Sequence, residues 1–266
     1  MLKTLKNNPF LTSLLIVLLY ALWFIVPVFF TEMDPNAIGI TGIEGALKEA
    51  RPELITGFVL MLFLSLFGWW KNIGFISIKK GGIKFLLPIL LIILVILNFS
   101  WVLDESHKWF WGFDSPLQLL TLLGVMLLLG FVEEGIFRGV LFYGLSTKMT
   151  PFFTVIISAL IFGLFHFVNL FTGAEFMSTV YQAIHAFAMG FLYASLRLKI
   201  GAIWPLMILH GLWDFSLFVL SSTVKHTQEN VSLGAGLSIA IPALLYGLFV
   251  YWRWSKENIN IQRKNI

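Results

Sequence analysis

"LLGVMLLLGFVEEGIFRGVLF", residues 122–142, is a run of Leu, Val, Ile, Phe and Gly interrupted only by Glu133, Glu134 and Arg138. Such a run is the length of a membrane-spanning helix, and charges inside one are costly to bury and are functional candidates by default. The whole chain has the same character. Of its 266 residues 58% are hydrophobic and only 12% charged, with a mean hydropathy of +0.88, whereas soluble domains run near a quarter charged. We therefore read an integral membrane protein. The pI of about 9.3 does not indicate a nucleic-acid partner, because basic residues of membrane proteins collect in cytoplasmic loops. The chain has no cysteine, which excludes disulfides, thiol nucleophiles and thiolate zinc sites.

Eight apolar stretches, at about 10–30, 54–70, 85–103, 116–146, 151–171, 178–197, 202–222 and 233–252, each come near the ~20 residues a spanning helix needs. The fold expected is all-α, a polytopic membrane bundle of about eight transmembrane helices. The first stretch is too long for a signal-peptide core and no small-residue cleavage site follows it. With the N-terminus inside, the inner segments hold Lys3, Lys6, Lys71, Lys79, Lys80, Lys84, Lys148, Arg197, Lys199, Arg253, Lys256, Arg263 and Lys264, and the outer loops only Lys48, Arg51, Lys108 and Lys225. That asymmetry predicts both termini inside, N-in and C-in. Trp69, Trp70, Trp252 and Trp254 stand beside basic residues at span ends, as interfacial aromatics do. Thr150-Pro151 reads as an N-cap and first-turn proline, and Pro205 falls in the first turn of the seventh span. The longest connection contains "GIEGALKEARPEL", 42–54, expected as a short surface helix. No repeat or appended soluble region is read, so 1–266 forms a single membrane domain with a motif-bearing core at about 116–222.

Seven ionisable residues fall within spans: Glu133, Glu134, Arg138, His166, His185, His210 and Asp214. Glu134 and Arg138 are four apart, share a helix face and can pair. Glu133 lies about 100° around the helix from Glu134 and has no charged neighbour at helical spacing, which makes it a candidate general base. His210 and Asp214 are also four apart, in "HGLWD", and form a plausible imidazole–carboxylate pair. His166 stands alone in "FGLFHFVN". Each signal has a purely structural reading: an internal ion pair, a protonated glutamate, a satisfied interhelical histidine. Three helices bringing acid–base groups to similar depth is harder to explain that way. His185 reads as structural or as lining a polar cavity, and His107 and His226 as loop residues. H-E-x-x-H, G-x-S-x-G, a P-loop and G-x-G-x-x-G are absent. Carboxylate and imidazole remain, and water activation for hydrolysis is the simplest chemistry they support.

"EEGIFR", "FGLFH" and "HGLWD" occur in the order of the E-E-x-x-x-R, F-x-x-x-H and H-x-x-x-N/D motifs, and on them the chain resembles the CPBP family of CAAX-protease and bacteriocin-processing (Abi) intramembrane endopeptidases. The resemblance implies hydrolysis of a peptide bond in a membrane cavity. Glu133 would be the general base, His166 would position or activate the water, His210 and Asp214 would stabilise the oxyanion, and Glu134 and Arg138 would support them. Asp214 departs from the asparagine of the CAAX-processing version, and an ionised aspartate cannot donate a hydrogen bond. It would be protonated, orient His210, or ligate a metal. No metal is committed, but Glu133, His166, His210 and Asp214 would make a reasonable set for a divalent ion such as zinc. The expected partners are the lipid bilayer and a peptide or membrane-protein substrate, and the Ile-, Lys- and Asn-rich tails hint at a bacterial cell membrane. The competing reading is a non-catalytic membrane scaffold or bacteriocin-immunity protein of the same fold. A proton-coupled transporter is disfavoured by the lack of an inverted repeat.

Overall fold

The structure is a computed structural model that describes residues 2–30, 42–103, 113, 115–223 and 233–264. His107, His226, Lys108 and Lys225 lie outside the described residues. The main helices are α1 (Pro9–Val28), α2 (Gly42–Phe67), α3 (Leu87–Leu103), α4 (Pro116–Glu134), α5 (Phe142–Ser146), α6 (Pro151–Phe165), α7 (Phe176–Ile200), α8 (Trp204–Thr223) and α9 (Leu233–Lys264). No strand occurs among the described residues. Six of the helical segments are long and apolar enough to cross a membrane: Pro9–Val28, Ala50–Phe67, Ile83–Leu103, Pro116–Ser146, Pro151–Leu170 and Trp204–Ser221. The sixth and eighth stretches read from the sequence correspond to α7 and α9, which are equally long but more polar. α7 carries Gln182, His185, Arg197 and Lys199 and is largely buried between α6 and α9.

The outside of the bundle is apolar. Leu11, Leu18, Phe58, Leu66, Leu91 and Val95 are exposed, the inverse of a soluble fold and what a lipid solvent allows. Among the described residues the buried charged side chains are Glu53 of α2, Glu133 and Glu134 of α4, Arg138 of the segment that follows α4, and Lys199 of α7.

Three local features differ from the sequence expectation. The stretch 42–54 is not a separate surface helix. It is the start of α2, which runs through Pro52 without ending, because the missing N–H removes one ladder bond while the apolar face beyond it keeps packing. The long fourth span is not a continuous α-helix. Gly135–Leu141 forms a π-helical segment between α4 and α5, the kind of irregularity that often marks functional sites. Ser158 of α6 donates to Phe137 O, giving a backbone carbonyl of this segment a side-chain partner. Finally, the fifth span ends its α-helix at Phe165, and His166–Leu170 continues as a 3₁₀ turn.

Helix packing sets the positions of the charged groups. α4 packs on α8 and α2, α8 on α3, and α1 on α5 and the π segment. The α4–α8 crossing is closest at two glycines. A Cβ on Gly130 would lie 2.4 Å from Met207 O, and one on Gly211 would lie 2.6 Å from Leu127 Cα. Only glycine lets the backbones approach this far, as at small-residue crossings in membranes.

Candidate active site

The glycine crossing brings the first and third motifs together. Glu133 and Glu134 lie one turn beyond Gly130, and His210 is adjacent to Gly211. His210 Nδ1–H donates to Glu134 Oε1 at 2.9 Å. Its Nε2 lies 3.3 Å from Asp214 Oδ2 and 3.6 Å from Glu133 Oε2. Three carboxylates thus surround one imidazole. The Nδ1 contact is a formed hydrogen bond, while the two Nε2 contacts are longer than the usual 2.7–3.2 Å. Nε2 is therefore the less committed ring atom.

Glu134 and Arg138 pair as their spacing predicts, with Arg138 Nη1 donating to Glu134 Oε1 at 2.9 Å. Both residues are fully buried. Arg138 also stacks on Phe162, its Cζ 3.9 Å from the ring centroid, a cation–π contact in a desolvated setting. Gly190 makes room for it, since a Cβ there would come within 3.1 Å of Arg138 Nη2. The sequence reading made Glu134 and Arg138 an ion pair apart from the histidines. The structure shows Glu134 shared between Arg138 and His210, so the pair is joined to the third motif as well.

Phe162 gives the second motif a physical meaning. It faces Arg138 with its ring, meets His166 edge-on at a centroid distance of 4.9 Å and Phe137 likewise at 4.9 Å. His166 Nδ1 lies 2.9 Å from Phe162 O. A carbonyl only accepts, so Nδ1 carries the proton and Nε2 is left as the acceptor. The 3₁₀ turn begins at His166, which sets this ring at the end of α6.

A cavity of about 250 Å³ joins these groups. Glu134, Arg138, His166, His210 and Asp214 line it, with Phe162, Gln182, His185 and Tyr193 among the others. His185 is thus a cavity-lining residue, stacked on Trp213. Glu133 is not part of this lining and reaches the group through His210 Nε2. A cleft of about 310 Å³ between α1 and α2 has an almost entirely apolar lining and offers no comparable chemistry. The described residues do not fit a metal ion. None of them form a group of three or more His, Asp or Glu placed to hold one. Glu133, His166, His210 and Asp214, the set the sequence offered for zinc, do not form such a group.

Sequence reasoning missed two residues. Glu53 fell in the long connection, yet it is buried in α2 and accepts a 3.4 Å hydrogen bond from Tyr20 O–H. Tyr20 stacks on Phe165, at 4.8 Å between centroids, directly beside His166. Continuity of the apolar pattern from Ala50 into α2 is the signal that would have placed Glu53 inside. Outside the spans, Glu175 caps α7. It accepts from the N–H of Met177 and of Ser178, which holds its carboxyl below the usual range.

The fold and the site together define a multi-pass integral membrane protein with a buried carboxylate–imidazole cluster. Residues 115–216 match the family described as type II CAAX prenyl endopeptidase Rce1-like. That region holds all three motifs, and the match agrees with the resemblance read from them. No curated protein gives a significant match.

Proposed function

We propose that this chain is an intramembrane endopeptidase that hydrolyses a peptide bond of a membrane-associated protein or peptide. The observation that carries the reading is the convergence of Glu133, Glu134 and Asp214 on His210, which shares a cavity with His166, within a region that matches an endopeptidase family. Water adds to the scissile carbonyl carbon as Glu133 takes its proton and His166, accepting at Nε2, orients it. The new C–O bond leaves an oxyanion, towards which Nε2–H of His210, held as the imidazolium among its three carboxylates, turns from its long contacts. Collapse breaks the C–N bond, and the proton held by Glu133 passes to the leaving amine.

Asp214 orients His210 in this scheme. Its carboxylate cannot donate to an oxyanion, but it stands against the Nε2 that does. Glu134 fixes the other ring nitrogen and is itself anchored by Arg138. The donors are preorganised in a water-poor site, where electrostatic stabilisation is strongest. If the Ile-, Lys- and Asn-rich tails mark a bacterial chain, the client is a leader peptide, pheromone precursor or bacteriocin-like peptide.

The test incubates reconstituted protein with a set of membrane-anchored peptides in ¹⁸O-water and reads new C-termini by mass spectrometry. Wild-type protein gives ¹⁸O-labelled termini. Glu133→Gln lowers the rate by about 10²–10⁴-fold while still accumulating in membranes. Undiminished cleavage by Glu133→Gln would sink the assignment, and no cleavage by any form would favour the non-catalytic scaffold.

A further inference from the structure

We infer that the phenol of Tyr193 is a second donor to the oxyanion, doing beside His210 what the carboxylate of Asp214 cannot do. The inference deepens the hydrolase reading of the same cavity and rests on it.

The chemistry sets the requirement. An oxyanion formed in a water-poor site depends on donors already in place. Of the motif side chains gathered at His210, Glu133, Glu134 and Asp214 are carboxylates, which accept when ionised and do not donate. His166 holds its proton at Nδ1 against Phe162 O and presents an acceptor at Nε2. His210 Nε2–H is left to meet the oxyanion, and a single donor is a thin supply for a full negative charge.

The cavity wall offers more. Tyr193 O–H, Trp213 Nε1–H and Arg138 Nε–H line it, each buried and without a hydrogen-bond partner among the described residues. Buried polar groups are as a rule paired, so an unpaired donor on a cavity wall points to an acceptor that enters the cavity. The three stand in different places. Trp213 is stacked on His185, with centroids 6.2 Å apart. The Arg138 guanidinium is fixed by Glu134 and by the face of Phe162. Tyr193 instead packs against His210 itself, with ring centroids 5.8 Å apart, and Arg138 Cζ lies 5.9 Å from the same phenol ring. Tyr193 is 2% exposed and is held on α7, three residues after the Gly190 that makes room for Arg138. Its O–H therefore shares a wall with the imidazole that meets the oxyanion and stands near a guanidinium, surroundings that suit an incoming negative oxygen.

The step balances without a further reactant. Water oxygen bonds to the carbonyl carbon, and the C=O π pair moves onto the carbonyl oxygen. His210 Nε2–H and Tyr193 O–H both donate to that oxygen, and Tyr193 keeps its proton. On collapse the pair returns to C=O, the C–N bond breaks, and the amine takes the proton held by Glu133.

The test uses the full chain and a membrane-anchored peptide that wild-type protein cleaves. Tyr193→Phe removes the O–H and keeps the ring. It is expected to lower kcat about 10²-fold, with KM and the unfolding midpoint little changed. Asp214→Asn places an amide N–H₂ donor against the same imidazole. Tyr193→Phe combined with Asp214→Asn is expected to regain about tenfold in kcat over Tyr193→Phe alone. A Tyr193→Phe variant with wild-type kcat overturns the inference. So does a loss of kcat that Asp214→Asn does not restore, the pattern of a phenol that only packs or holds a structural water. Both results leave the hydrolase reading standing, because the wild-type protein still cleaves. Absence of cleavage by wild-type protein overturns the two together.

Discussion

Arg138 and His210 show how a charged cluster is held in an apolar bundle. Arg138 is fully buried, and its Glu134 partner, its Phe162 ring and the room left by Gly190 together offset its desolvation. Removing one member of a buried pair leaves the other uncompensated, a loss of about 3–5 kcal/mol. Arg138→Met is therefore expected to lower the unfolding midpoint in detergent micelles clearly, and Glu134→Gln combined with Arg138→Met to recover part of the loss. Equal stability of Arg138→Met and wild type would show that Glu134 is satisfied by His210 alone. Asp214 Oδ2 lies 3.3 Å from His210 Nε2, and under the proposed function Asp214→Asn is expected to retain measurable hydrolysis where His210→Ala does not, as read in the ¹⁸O assay.

The element that decides the geometry is the α4–α8 crossing. Gly130 and Gly211 let the two backbones meet, and the motif residues one turn away then face each other. A bulky side chain must push the helices apart. Gly211→Leu is expected to cost about 1–3 kcal/mol by overpacking and to abolish cleavage by separating His210 from Glu134. Gly124→Ala, on the same α4 with nothing within 4 Å of its Cβ, is the control expected to be silent. If both variants cleave normally, the crossing does not position the site. The π segment adds to this, since it separates the helical register of Glu133 and Glu134 from that of α5 and places Phe137 O against Ser158.

For the whole molecule, the even number of stretches read from the sequence and the charge bias require both termini on one side. Tags fused at Met1 and Ile266 should show the same protease sensitivity in sealed vesicles, protected in right-side-out and cleaved in inside-out preparations. Opposite behaviour of the two tags would mean an odd number of crossings. α7 is the element to watch in that case, because it carries Gln182, His185, Arg197 and Lys199 and is wrapped by α6 and α9.

The sequence by itself determined the membrane class, the helical architecture and the Glu134–Arg138 pair. Hydropathy, loop charge and i,i+4 spacing are local or one-dimensional quantities, so each can be read along the chain. Only the tertiary structure decided that Glu134 is shared with His210, that Glu133 meets the cluster at Nε2, that His166 ends its α-helix, and that Glu53 lies inside. These depend on which helices touch, how closely Gly130 and Gly211 allow it, and where a π turn shifts the register. A glutamate in "RPEL" at the head of an apolar run looks like a loop residue until α2 is seen to begin before it.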